Sequence, residues 1–224
     1  MGGTISNGAV FPPQRPRPRH AKADLQAQAA FKADLPHQVN QVQQQYPDAS
    51  IEVWAFDEHR LGLKPIVRAV WAPIGERPSA LVHHRYEWLY VYGFVHPQTG
   101  RTEWLLLPRV NVAWFNAALA EFARSLAASA THRIVLVLDN AGWHRSPLVV
   151  VPEGIHLLFL PPYSPELQPA ERLWQLVDEP LVNRSLDTLD ELEAILVSRC
   201  QTLMTMTEAI QGRTHFHWWA FTES

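Results

Sequence analysis

The spacing of hydrophobic and polar positions changes several times along the chain, and each change predicts an element. The opening "MGGTISNGAVFPPQRPRPRH" has four prolines and no hydrophobic period, and reads as an extended, polyproline-like arm. From Ala21 to Tyr46 the composition turns helical, and Leu35, Val39, Val42 and Tyr46 fall on one helical face. Pro36 suits a first-turn position, so two helices are expected to meet near Leu35. Strand-like runs follow: "IEVWAFDE", "PIVRAVWA", "YEWLYVYGFVH" and "RTEWLLLP", the last two joined by the hairpin signal "PQTG".

Asn111 can cap a helix whose apolar face is Phe115, Leu119, Phe122 and Leu126. "RIVLVLD" is continuously apolar, the pattern of a central strand buried on both faces, and "IHLLFL" is a further short strand. A helix is expected from Pro169 to near Leu181. A second starts at Thr188, where Glu191 three residues on makes a capping box ahead of Leu192, Ile195 and Leu196. The order is that of an α/β protein.

At 224 residues, 47% hydrophobic and 18% charged, the chain is long enough for one substantial domain plus an arm. No run of about 18 apolar residues and no apolar segment after a basic start occurs, so no membrane span or signal peptide is expected, and the expected location is cytoplasmic. The single cysteine, Cys200, excludes an internal disulfide and a Cys-rich zinc site and suits a buried helical position. The net charge of −3 is unevenly spread. Arg15, Arg17, Arg19, Lys22 and Lys32 outweigh Asp24 and Asp34 near the N-terminus, and the remainder is acidic.

Two acids close apolar runs. "VWAFDE" delivers Asp57 and "VLVLD" delivers Asp139, each expected at a strand end with its backbone fixed by the sheet. Carboxylates that converge repel one another, and a divalent cation with oxygen ligands relieves the repulsion. Glu171, in the first turn of the Pro169 helix where the helix dipole favours an anion, would complete a three-carboxylate site. Glu58 and Glu166 are acids of the same type, so spacing alone leaves the set open. It defines an α/β domain with a candidate acidic metal site and no substrate.

"LDNAGWH" followed by "LPPYSPELQPAERLW" closely resembles the bacterial insertion-sequence relatives of the mariner-like DDE transposases, and "WAFDEHRLGLKP" resembles the first-acid segment of that group. The likeness runs from about Leu35 to Asn183. It implies a ribonuclease-H-like α/β fold with a mixed five-stranded sheet flanked by helices. The implied organisation is an arm over 1–20, linker helices over 21–47, the catalytic domain over 48–183 and a C-terminal helix with an aromatic tail over 184–224.

The resemblance implies catalytic metal ligands at Asp57, Asp139 and Glu171, with Glu166 at an acidic position that is not a ligand. It further implies two Mg2+ or Mn2+ ions, and cleavage and strand transfer on double-stranded DNA, both transposon ends and target. A homodimer would be typical of such enzymes. Candidate DNA contacts are Arg60 and Lys64 beside the first acid, His144, and Arg15, Arg17 and Arg19 in the arm. Relatives carry a helix-turn-helix region that reads the transposon ends, whereas an arm and helices precede Asp57 here, so weak, salt-sensitive and largely non-specific DNA affinity is expected. The alternative from another class is a transposase remnant that binds DNA or oligomerises without cutting; metal-dependent nicking of a duplex separates the two. If the acids form one repelling cluster, replacing any of them should leave the metal-free fold as stable as before or more so.

Overall fold

The computed structural model describes residues 21–66 and 87–219. The arm with Arg15, Arg17 and Arg19, and most of the "PIVRAVWA" run, lie outside them.

Five strands form one mixed sheet in the order β3-β2-β1-β4-β5, with β1 Ser50–Gly62, β2 Trp88–His96, β3 Arg101–Leu107, β4 His132–Leu138 and β5 Ile155–Phe159. The β1–β2 and β2–β3 pairs are antiparallel, and β1–β4 and β4–β5 are parallel. The "PQTG" hairpin is present. Gly100 turns it at φ 73°, where a Cβ would sit 1.9 Å from the Thr207 carbonyl, so only glycine serves both the turn and the helix packed against it.

Strand alternation sends side chains to two separate cores. Val53 and Ala55 of β1, Val91 and Val95 of β2, and Val135 and Val137 of β4 face a core shared with helices α1 (Leu25–Gln45), α3 (Trp174–Asp178), α4 (Leu189–Met204) and α5 (Thr207–Thr214). Trp54, Phe56, Tyr92, Phe94, Leu136 and Leu138 face the other side, where α2 (Val112–Ser125) contributes Phe115, Leu119 and Phe122. Asn111 caps α2 as expected, accepting from the Trp114 N–H at 2.9 Å.

Two expectations change, and one helix is new. The segment around Leu35 is one helix, not two: Pro36 lies inside α1. The lost hydrogen bond is offset because Phe31, Leu35 and Val39 stay in phase across the proline and bury one continuous stripe. The helix expected from Pro169 to Leu181 is broken into a 3-10 turn at Pro169–Arg172, the short α3, and a second 3-10 turn at Glu179–Leu181 around Pro180. Finally, α5 had no clear hydrophobic period to announce it. Its buried residues are only Ile210 and Thr214.

The Thr188 start holds, with the Glu191 N–H donating to Thr188 Oγ1 and Glu191 Oε2 accepting from the Asp187 N–H, both at 3.2 Å. Cys200 is buried in α4. At the C-terminal end Trp219 is fully buried, and Trp218 meets Phe31 of α1 edge-on at 6.3 Å.

Candidate active site

Asp57 is not at the end of its strand. β1 continues five residues beyond it, still paired with β2 from Glu58↔Tyr92 to Gly62↔Trp88. It is β4 that ends: the parallel ladder closes at Ala55↔Val137. Continuing that register sets Asp139, just past Leu138, level with Asp57 on a strand about 4.8 Å away. An opening in the sheet is thus made by the departing partner, and the two acids flank it.

Asp57 is held by its neighbours on the α3 side. Trp174 Nε1 donates to Asp57 Oδ2 at 2.9 Å. The indole reaches that position over Gly93, the β2 residue opposite Asp57, where a Cβ would come within 2.8 Å of the Trp174 ring. His59 stacks on the same ring at 4.9 Å and bonds Asp178 Oδ1 through Nε2 at 2.8 Å. Trp174 is therefore both a buried core side chain and a hydrogen-bond donor to the first acid. Burial raises the Asp57 proton affinity well above the ordinary carboxyl range. The negative charges of Glu171, Glu58 and Asp139 add to it, against the opposing Trp174 N–H.

Asp139 has the opposite balance. Burial pushes it up, but His144 Nδ1 at 2.7 Å and the Ala141 N–H at 2.9 Å, both bonded to Oδ1, pull it below its ordinary value. The His144 ring is 2% exposed, between Phe115 at 4.5 Å and Phe56 at 5.7 Å, and its Nε2 bonds Glu58 Oε1 at 3.0 Å. Burial opposes its charge, yet the two carboxylates outweigh that and push His144 up to about 9, so it is an imidazolium at neutral pH. This corrects the expectation of His144 as a DNA contact. Both ring nitrogens are spent on carboxylates and neither faces solvent.

Glu171 stands in the one-turn Pro169–Arg172 segment, which is too short for a helix dipole to matter. What places it is Gln168, fully buried, whose Nε2 donates at 2.8 Å to the carbonyl of Phe56, the residue before Asp57. Burial and the Asp139 charge raise Glu171, with His59 and Arg172 opposing. Glu166 points elsewhere, its Oε1 accepting from Gln28 of α1 at 2.7 Å. Gln28 also donates to Ser164 Oγ at 3.0 Å, so α1 fixes the proline-rich loop that leads to Glu171. Asn140 anchors the start of that loop, donating to the Leu160 carbonyl and accepting from Arg145.

Among the described residues no three His, Cys, Asp or Glu side chains stand as a finished metal cage. The donor set nevertheless fits a hard divalent cation. Its donors are carboxylate oxygens, and Asp57, Asp139 and Glu171 are coupled by a mutual repulsion that a cation would relieve. Among the described residues His215 and His217 gather no further ligands. Arg60 is exposed with its guanidinium 5.0 Å from the Trp88 ring, and Lys64 is exposed nearby on the chain. No helix among the described residues is long and apolar enough to cross a membrane.

A five-stranded mixed sheet in the order β3-β2-β1-β4-β5, antiparallel on one side of β1 and parallel on the other and flanked by helices, is the ribonuclease-H-like fold. The chain belongs to the DDE superfamily endonucleases, whose family model matches residues 52–193. It is 42% identical over 106 residues to uncharacterized protein y4pE/y4sA of Sinorhizobium fredii (strain NBRC 101917 / NGR234), covering 47% of this chain and 77% of that one.

Its fold is that of the Mos1 mariner transposase catalytic domain, with a TM-score of 0.52 and 14% identity over 89% of this chain and 95% of that domain. Against the Mos1 mariner paired end complex with Mn the TM-score is 0.60 at 14% identity, covering 92% of this chain and 65% of that one. By family the chain is a DDE superfamily endonuclease, and its fold is that of a mariner transposase catalytic domain.

Proposed function

We propose that this DDE transposase catalytic domain cuts and joins DNA at the ends of an insertion sequence through Asp57, Asp139 and Glu171. The observation that carries the assignment is the register that sets Asp139 level with Asp57 where β4 leaves β1, with Glu171 tied to the same place through Gln168 and Phe56. The three acids would hold two Mg2+ or Mn2+ ions. Those ions would lower the pKa of an attacking water or 3′-hydroxyl and stabilise the oxygen that leaves phosphorus in line.

The chain's own groups do the remaining work. The Trp174 N–H holds one Asp57 oxygen, so the other is free of any hydrogen bond among the described residues and can turn to the opening. Asp139 likewise keeps Oδ2 free among those residues while Oδ1 is pinned. Arg60 and Lys64, beside the first acid, and the arginines at 15, 17 and 19 supply phosphate contacts. The partner is double-stranded DNA, both transposon ends and target, and the acting form is a homodimer associated with the nucleoid. The catalytic domain is taken to span 48–183, preceded by the arm and α1 and followed by the C-terminal helices and aromatic tail.

Nicking of supercoiled plasmid with Mn2+ tests this reading. The wild-type chain is expected to nick only with the metal, the alanine variants of Asp57, Asp139 and Glu171 to lose that activity, and Glu166→Ala to keep most of it. DNA binding with no nicking by the wild type would instead identify a remnant. A dead Glu166→Ala beside an active Glu171→Ala would move the third ligand.

A further inference from the structure

Glu58 follows Asp57 directly, but strand alternation sends it to the opposite face of β1, the face of Phe56 and α2. It is a carboxylate in a hydrophobic setting, its side chain only 7% exposed. There it meets His144 at 3.0 Å, and His144 passes the contact through its other nitrogen to Asp139 at 2.7 Å. Trp143 adds its indole N–H to the same Glu58 oxygen at 3.1 Å. The bridge runs behind the opening between β1 and β4, from the strand that carries the first acid to the loop that carries the second. It occupies one oxygen of Asp139 and leaves the other unbonded among the described residues, on a side chain that is 52% exposed.

We propose that Glu58 and His144 are positioning residues that fix the Asp139 carboxylate, so that its free oxygen faces Asp57 and binds the divalent cation. Asp139 follows the last residue of β4, so no ladder hydrogen bond of its own strand pins its backbone and the rotation of its side chain would otherwise be loose. A rigid aromatic ring walled in by Phe56 and Phe115 supplies the missing constraint, and Glu58 sets the plane of that ring by occupying its far nitrogen. Groups that orient a metal-binding carboxylate or histidine from behind affect metal affinity or activity by about 10–100-fold when removed.

The inference rests on the reading of Asp139 as a metal ligand, and the experiment separates the two. Mn2+ binding to the full chain without DNA is read from the electron paramagnetic resonance of free Mn2+, for wild type, Asp139→Asn, His144→Ala, His144→Gln and Glu58→Gln. Plasmid nicking by each supplies kcat and KM. Asp139→Asn is expected to lose binding, and His144→Ala to weaken it by about 10–100-fold with a matching fall in kcat and an unchanged KM for DNA. His144→Gln, whose amide still offers Asp139 a donor, should recover part of the loss. Glu58→Gln, which keeps an acceptor for the ring, should lose less than His144→Ala. If wild type binds no Mn2+, the ligand assignment itself fails. If Asp139→Asn loses binding while a folded His144→Ala and His144→Gln bind and cut as wild type, the positioning role alone is overturned. A rise in KM with kcat and Mn2+ affinity unchanged would make His144 a DNA contact instead.

Discussion

Asp57 in β1 and Asp139 just past the end of β4 flank the place where the two strands part, yet the protein treats them in opposite ways. Asp57 is locked in the middle of a paired strand, desolvated, and met by one neutral donor, so its charge is costly until a cation arrives. Asp139 hangs from a loop, half in solvent, and is met by a cation and a backbone N–H, so its charge is already stabilised. One acid stores repulsion and the other stores orientation. A site built this way can bind metal strongly, because the cation relieves the first cost, without the loop-borne ligand having to be ordered at the same moment.

The largest effect should be on the chemistry, where the two acids are equivalent. On the proposed assignment Asn at either position removes a ligand, and loss of nucleophile activation and leaving-group stabilisation should cost several kcal/mol, hence several orders of magnitude in metal-dependent nicking. A residual rate within about tenfold of wild type for one of them would show that the pair is not shared.

Metal-free stability should then tell the acids apart. Repulsion alone predicts that losing any acid stabilises the fold, and for Asp57→Asn a higher melting temperature is expected. Asp139→Asn should go the other way by about 1 kcal/mol, because it strands a buried imidazolium with one carboxylate instead of two, an effect discounted for the exposure of Asp139. Equal shifts of the same sign would erase the distinction drawn above. Gly93→Ala, which drives a Cβ to within 2.8 Å of the Trp174 ring, should cost about 1–3 kcal/mol and loosen the Asp57 contact as well.

The pH dependence of melting sharpens the comparison further. Asp57 has a folded proton affinity above its unfolded one, so its contribution is present at acid pH and is lost as pH rises through the folded value. The advantage of Asp57→Asn over wild type should therefore grow with pH and shrink when Mg2+ is added. His144 is raised to about 9, so its stabilisation is complete below its unfolded value of about 6.5 and fades as pH climbs through about 9. A His144→Gln variant should lack that alkaline loss in its melting curve. The smallest expected effect is on DNA affinity. Arg60→Ala should weaken binding uniformly across sequences and lower the salt slope by about 1.

What the sequence reveals and hides follows the range of the interactions. Local patterns announced the strands, the Asn111 and Thr188 caps and the hairpin at Gly100, because each is set by neighbours in the chain. The acids at 57, 139 and 171 stood out through motifs. That Asp57 lies mid-strand was hidden, because the opening beside it depends on where β4 stops, some eighty residues away. The bridge from Glu58 to His144 was hidden for the same reason, although both residues had drawn notice singly. Pro36 misled in the other direction, since a local breaker was overridden by the buried stripe of Phe31, Leu35 and Val39.

The central claim is that the level acids of β1 and β4 and the acid of the Pro169–Arg172 turn hold one pair of ions. Anomalous scattering from crystals of the chain grown or soaked with Mn2+ tests it most directly. The account predicts Mn2+ peaks in the opening between β1 and β4, about 2 Å from oxygens of Asp57, Asp139 and Glu171, with His144 still bonded to the opposite oxygen of Asp139. Peaks at Glu166 with none at Glu171, or peaks that involve Asp57 but not Asp139, would contradict it.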